Sequence, residues 1–428
     1  MGIDFFRVLK VLGFPVREAC DMFSQIPFEG DLLQWQREKA DEIFRFHYKE
    51  NEFYRNFVGF EPKEWTKIPV IKRADLKGGF RGKLPASVQN QKLYLSSTSG
   101  SSGDPLYFAR DRMSHALVWL NVERLYNQVG LSVNHRQARM FGISRQPVGR
   151  LKARLKDNLS NRYRFNVFDL SDEAFEKWVQ KFRRGRFTYI YGYTNSLVAF
   201  ARFLKNSNIT LADVAKSLRA CIVTSEVCTE KDAQTLREAL GVPVYNEYGS
   251  SELGVMGFKQ NGFWCGSDGL LYFEVLDEND EIVPDGETGY LTCTALFNRA
   301  TPFIRYRIGD LAVINRSSGI TKIEKVMGSL NDMALLPSGK RVPGISFYFV
   351  AEELLDKSDI VKEFLFRQTS HGFVFEYVAS RDLNGVEFDA LKRGFDAIVG
   401  KGTTLILKRV EQLQRGLNGK FKHFISEL

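Results

Sequence analysis

The chain has 428 residues, of which 44% are hydrophobic and 26% charged, and its net charge is +9. That is ordinary for a globular protein with a sizeable core, and the length suits about two or three domains. No apolar run approaches the roughly 20 residues a membrane helix needs, which excludes a membrane-spanning helical protein.

The chain starts "MGIDFFRVLKVLGFP", aromatic and basic, without the small-residue cleavage site of a secretory signal. Phe6 stands where a myristoylation signal needs Ser or Thr. An amphipathic helix is expected, either packing on the body of the protein or making weak contact with a membrane surface. The next stretch, "LLQWQREKADEIFRFHYKENEFYRNF", sets Leu33, Trp35, Ala40, Ile43, Phe44 and Phe46 on a broad apolar stripe and predicts helix.

"LYLSSTSGSSGDPLYF" (Leu93 to Phe108) places a Ser/Thr/Gly run between two strand-like ends. Gly100 and Gly103 permit positive φ, so successive N–H groups can form an anion nest. Thr98, Ser99, Ser101 and Ser102 add hydroxyls, and Pro105 stiffens the exit. Taken alone, the run reads equally as a linker. In the middle of the chain, short apolar runs alternate with amphipathic helices, the pattern of α/β layers. "YIYGYTNSLVAFARFL" is expected to turn at Gly192 into a helix with Leu197, Phe200, Ala201 and Leu204 on one face. "RACIVTSE" and "GVPVYNEYGSSE" are expected strands. Ligands in such layers sit at the carboxyl ends of strands, which directs attention to Ser225, Glu226 and Glu247 to Glu252.

From Leu270 the reading changes to strands joined by turns at Glu278–Asp280 and Pro284–Gly286, and "IRYRIGD" (Ile304–Asp310) offers two arginines and an aspartate at a turn. A smaller α+β unit of about a hundred residues follows. Its expected strands are "EFLFRQ", "GFVFEYVA" and "TTLILKRV", and its expected helix shows Phe388, Leu391, Phe395 and Ile398 on one face.

Five scattered cysteines without a Cys-x-x-Cys pair fit reduced thiols in a cytoplasmic protein. Cys265 and Cys293 could meet and hold a metal, but no nearby histidine completes a tetrahedral set. The histidines His47, His115, His135, His371 and His423 follow no metal-ligand spacing and read as core or surface residues. Basic residues are spread out, and the longest cluster, "KFRRGRF", is short. The charge therefore fits a polyanionic small molecule or a solvated face better than nucleic acid. The Walker pattern, a G-x-G-x-x-G turn and a G-x-S-x-G elbow are all absent.

Four segments occur in a telling order: "TSGSSGDP", "NEYGSSE" (Asn246–Glu252), "IRYRIGD" and "LNGKFKHFIS". Together they resemble the signatures of the adenylate-forming superfamily, most closely the phenylacetate–CoA ligase group, including members found with capsular-polysaccharide genes. "FYRNF", "IPVIKRADL", "IYGYTNSL" and "VTSE" extend the likeness over nearly the whole chain. The resemblance implies a large N-terminal α/β domain with a β-rich subdomain (residues 1–328) and a small mobile α+β C-terminal domain (residues 329–428). It implies ATP-dependent conversion of a carboxylate to an acyl-AMP, then transfer to an acceptor, CoA by default. An amine acceptor in surface-polysaccharide assembly is the alternative. A nucleotide-binding protein without catalysis is a further reading, disfavoured by the presence of both Glu252 and Lys420.

By the same resemblance Thr98, Ser99, Gly100, Ser101, Ser102 and Gly103 hold the β- and γ-phosphates of ATP. Glu247, Tyr248, Gly249, Ser250 and Ser251 belong to the nucleotide site, with Tyr248 against adenine and Ser251 on phosphate. Glu252 binds Mg²⁺, Asp310 holds the ribose, Arg307 supports its turn, and Lys420 bridges carboxylate and α-phosphate. A metal and a lysine neutralise the charge that develops when two anions meet. Asp332 is the implied hinge about which the small domain rotates. There are departures: Asp104 replaces a lysine, Ser329 replaces the hinge arginine, and Leu271 stands where relatives with a Cys/His site have histidine, so no zinc is expected. A monomer or homodimer is expected.

Overall fold

The computed structural model describes residues 4–98, 105–142, 147–260, 262–329, 333–344, 346–348, 350–351, 360–415 and 421–428. They fall into two compact units, the first holding Met1–Ile308 and Ala312–Lys325, the second Gly309–Leu311, Val326–Gly416 and the C-terminal strand.

Up to Ser329 the strands are β1 (Ile71–Lys72), β2 (Tyr94–Ser97), β3 (Tyr107–Arg110), β4 (Gln137–Phe141), β5 (Arg162–Asn166), β6 (Tyr189–Tyr193), β7 (Ala220–Thr224), β8 (Val244–Ser250), β9 (Gly254–Gln260), β10 (Phe263–Gly266), β11 (Leu271–Leu276), β12 (Thr288–Ala295), β13 (Tyr306–Asn315) and β14 (Lys322–Ser329). One large sheet runs β11-β12-β13-β14-β10-β9-β8-β7-β6-β4-β5, with β1 beside β13, while β2 and β3 form a separate hairpin. The block β5-β4-β6-β7-β8 is parallel. Parallel neighbours require crossovers, and helices Pro147–Leu159, Asp172–Gly185, Thr194–Asn206 and Glu230–Leu240 supply them. Their starts are written locally. The Ser171 hydroxyl accepts from the Ala174 amide, and Thr229 with Asp232 closes a capping box.

Each face of the parallel block buries a core. On one face Met140, Phe165, Ile190 and Val223 pack with Phe175, Trp178, Phe182, Leu197 and Phe200. Burying each such large side chain contributes about 1.5–3 kcal/mol. On the other face Tyr189, Ile222 and Phe258 meet Leu125 and Tyr126 of helix Arg112–Asn127, together with Phe5 and Leu9. The N-terminal helix Phe5–Val11 therefore packs on the body through Phe5 and Leu9, while Val11 and Leu12 stay exposed.

Gly192 lies inside β6, and the helix begins only at Thr194, so the expected turn at the glycine is displaced. The glycine serves close packing instead: a Cβ there would stand 2.6 Å from the Met140 Cβ on the neighbouring strand.

The second unit carries β15 (Met333–Leu335), β16 (Arg341–Pro343), β17 (Val361–Thr369), β18 (Gly372–Ala379), β19 (Leu405–Arg409) and β20 (Phe424–Ser426). Its four-stranded sheet runs β19-β18-β17-β20. Alternation along "GFVFEYVA" turns Phe373, Phe375 and Tyr377 into a core shared with Leu391 and Phe395 of helix Gly385–Val399. The C-terminal "FIS" is a strand paired with β17, Phe366 opposite Phe424. Among the described residues, no helix is long and apolar enough to cross a membrane.

Candidate active site

The Ser/Thr/Gly run closes the β2–β3 hairpin. Ser97 pairs with Tyr107, the Thr98 amide donates to the Leu106 carbonyl at 3.0 Å, and the buried Thr98 hydroxyl accepts from the Leu106 amide at 3.0 Å. The run thus springs from a pinned hairpin and joins two strands of one unit rather than two domains. Ser99, Gly100, Ser101, Ser102, Gly103 and Asp104 lie outside the described residues.

The strand leaving the run ends at Arg110, whose guanidinium is buried. Its Nη2 donates to the carbonyls of Ser251 (2.8 Å) and Glu252 (2.9 Å). Burial pulls the Arg110 pKa down, and the nearby Tyr94 and Glu252 act against that. Next in the chain, Asp111 caps helix Arg112–Asn127 through the Ser114 amide (2.9 Å) and accepts the Arg299 amide (2.8 Å).

"NEYGSSE" occupies β8 and the turn into β9. Alternation along the strand sends Glu247 and Tyr248 to opposite faces. The Glu247 carboxylate is buried and accepts from the Tyr191 hydroxyl at 2.6 Å and the Tyr126 hydroxyl at 3.1 Å. Burial raises its pKa, against the pull of those bonds and of Arg139. Tyr248 is half-buried, with its ring edge-on to Trp264 at 6.4 Å. At Gly249 a Cβ would meet the Gly254 carbonyl at 2.4 Å, so the β8–β9 turn closes only with glycine. The Ser250 hydroxyl accepts from the Leu253 amide at 3.1 Å, and Ser251 is exposed.

Glu252 is buried, and its Oε1 accepts from the Tyr306 hydroxyl at 3.0 Å. Beside it lies a water-sized cavity of about 20 Å³, lined by Arg110, Ser114, Val118, Glu252, Leu253 and Asn298 among others.

Of "IRYRIGD", Tyr306 to Asp310 lie on β13 (Tyr306–Asn315) rather than at a turn, while Ile304 and Arg305 form the bend that leads into it, Arg305 at φ 45°. Asp310 is half-buried along β13. Arg307 braces a different turn from the one expected. It pairs with Asp280, donates to the Asp277 carbonyl at 3.2 Å and lies over the Tyr290 ring at 4.3 Å. Arg305, fully buried, meets Glu274 at 3.2 Å and ties the Thr66 and Ile68 carbonyls at 2.8 and 2.6 Å, anchoring "IPVIKRADL".

Cys265 on β10 and Cys293 on β12 stand three strand spacings apart, about 14 Å, too far to share a metal. Lys420 and the hinge residue Asp332 lie outside the described residues, as does the side chain of Ser329.

Two polar residues at this site were not anticipated. Tyr306 is the residue between the two arginines of "IRYR", and strand alternation alone would have placed it opposite them. Arg110 is a charged residue in the apolar run "LYFAR", which marks a buried group with a specific partner.

No family model matches the chain. In sequence it is 23% identical over 323 residues to Protein CapK of Staphylococcus aureus, covering 71% of this chain and 69% of that one. It is 24% identical over 324 residues to phenylacetate-coenzyme A ligase of Pseudomonas putida, covering 71% and 72%. Among solved structures it superposes on a 2-hydroxyisobutyryl-CoA ligase in the postadenylation state with R3-HIB-AMP, with a TM-score of 0.69, 16% identity and coverage of 91% and 88%. It superposes on the amide bond synthetase McbA of Marinactinospora thermotolerans with a TM-score of 0.52, 13% identity and coverage of 76% and 65%. The chain therefore has the fold of the adenylate-forming ligases, and in sequence it is similar to the phenylacetate–CoA ligase group and to CapK.

Proposed function

We propose that this protein is an ATP-dependent, AMP-forming acid ligase: it converts a carboxylate to an acyl-adenylate with release of pyrophosphate, then transfers the acyl group, to CoA by default. The observation that carries this reading is the fixed carboxylate of Glu252. Arg110 holds its backbone from the phosphate-run hairpin, and Tyr306 holds its Oε1 from β13. Three segments far apart in the chain thus converge on one acidic group.

The donor set suits a Mg²⁺ that arrives with nucleotide. Such an ion keeps waters and phosphates and takes one or two protein carboxylates. Glu252, buried and fixed at the β8–β9 turn, would be its protein ligand. When bound, the ion would neutralise phosphate charge. The chain's own residues supply the rest of the proposal. The run Thr98–Gly103 cradles the β- and γ-phosphates, Tyr248 faces adenine, Ser251 meets phosphate, and Asp310 holds the ribose. Lys420 neutralises the approaching carboxylate and α-phosphate, and the second unit turns about Asp332 between the two half-reactions. We place the reaction in the cytoplasm.

Transfer to an amine, forming an amide, is the second reading, supported by the likeness in fold to an amide bond synthetase. One experiment separates the two. A carboxylate library is incubated with ATP and Mg²⁺, pyrophosphate release is followed, and CoA and amine acceptors are then added separately. Thioester with CoA supports the first reading, and amide with an amine supports the second.

A further inference from the structure

The parallel block has one topological switch. The chain leaves β4 for β5 at the edge, then returns past β4 to β6 on its other side, and continues outward through β7 and β8. Ligands of open α/β sheets lie beyond the carboxyl ends of strands at such a switch.

The β4–β6 pair there presents an aromatic surface with one cation in it. Phe141 stacks on Tyr191 at 5.5 Å and meets Tyr193 at 4.3 Å. The Arg139 guanidinium, paired in register with Tyr191, lies 4.2 Å from the Phe141 ring and 5.2 Å from that of Tyr191. Tyr191 in turn donates to Glu247, next to Tyr248, so this surface adjoins the motif assigned to nucleotide.

Arg139 is poorly matched inside the protein. Among the described residues its side chain donates only a long bond to Gln137, 3.3 Å, and its buried Nε has no hydrogen-bond partner. Burial, joined by repulsion from Arg162 and Arg164, brings its pKa down to about 10, against the pull of Tyr191 and Asp157. Asp157 and Glu247 attract it, but neither is hydrogen-bonded to it. Asp157 is gripped at two points by Arg164 (2.8 and 3.1 Å), and Glu247 accepts from two tyrosines. A partly buried guanidinium among other cations is costly unless an anion completes it.

We propose that Arg139 reads a second anionic group on the acid that this enzyme activates, so that the substrate is a dianionic acid, such as a dicarboxylate, whose distal anion sits against Arg139, Phe141 and Tyr191. This rests on the ligase reading and names its substrate class. A guanidinium grips a carboxylate at two points.

The test compares matched acids, hexanoate with adipate and phenylacetate with 4-carboxyphenylacetate. Calorimetry measures their binding to the wild-type chain, Arg139→Gln and Arg139→Lys, and pyrophosphate release with ATP is followed in parallel. In at least one pair the diacid should bind the wild type ten- to a hundredfold more tightly. Arg139→Gln should erase that preference while binding the monoacid and ATP as before, and Arg139→Lys should keep part of it. Equal binding within both pairs, no detectable diacid binding, or a preference that survives Arg139→Gln would overturn the proposal. If pyrophosphate release persists in those cases, the ligase reading stands without it. Diacid binding through Arg139 with no pyrophosphate release from any acid would sink the ligase reading instead.

Discussion

Glu252 is buried, and two supports hold it in place: Arg110 on its carbonyl and Tyr306 on its Oε1. Glu252→Gln preserves the shape and the bond from Tyr306 but removes the charge. Pyrophosphate release should fall roughly a hundred- to a thousandfold, with the melting temperature nearly unchanged. A wild-type rate would show that Glu252 holds no metal. Arg110 acts one step behind, through the Ser251 and Glu252 carbonyls. Arg110→Met leaves both acceptors without this donor and should lower stability by about 1–3 kcal/mol. It should also raise the Mg²⁺ concentration needed for half-maximal rate. A stability loss without any change in Mg²⁺ dependence would make Arg110 purely structural. The place of Tyr248 and Glu252 at the end of a strand was legible in the sequence, because an apolar run followed by small polar residues marks a strand's carboxyl end. Arg110 and Tyr306 were not, since their partners lie 142 and 54 residues away and only sheet order brings them together.

At the scale of elements, the sharpest constraint is the spacing of β4 and β6. Gly192 faces Met140, with the Met140 carbonyl oxygen 2.9 Å from where a Cβ would stand. Gly192→Ala should therefore push the two strands apart at the switch and cost about 1–3 kcal/mol, read as a lower denaturant midpoint. An unchanged midpoint would mean that the switch tolerates a wider gap. The order of helices and strands, and the small α+β unit, followed from periodicity of 3.6 and 2 residues. The placement of the turns did not. Gly192 looked like a turn residue but is a packing residue, and "RIGD" looked like a turn but continues β13. Glycine marks both a bend and a close approach, and the sequence alone does not separate them.

For the whole molecule, buried histidines set a pH response. Burial lowers the His47 pKa to about 4, its Nε2 facing the Asn298 carbonyl at 2.9 Å, and that of His115 to about 3, with Arg110 and Lys156 adding to the fall. Between about pH 6.5 and 4 the unfolded chain binds a proton at position 47 that the native state does not, so this contribution to stability shrinks as pH falls. The buried acids Asp111, Glu247, Asp268 and Glu274, held above the usual range, act in the opposite sense, so the histidine term is best seen as a difference. From pH 6.5 to 5, wild type should lose about 2 kcal/mol relative to His47→Gln in denaturant titrations. Parallel curves would show that His47 titrates normally in the native state. The central claim concerns chemistry, and carboxylate-dependent pyrophosphate release tests it most directly. With ATP and Mg²⁺, wild type should release pyrophosphate for at least one acid. Lys420→Ala should lose that release by roughly a hundred- to a thousandfold while still consuming acyl-AMP supplied ready-made. No pyrophosphate from any acid in a broad library that includes dicarboxylates, or an undiminished rate in Lys420→Ala, would contradict the account.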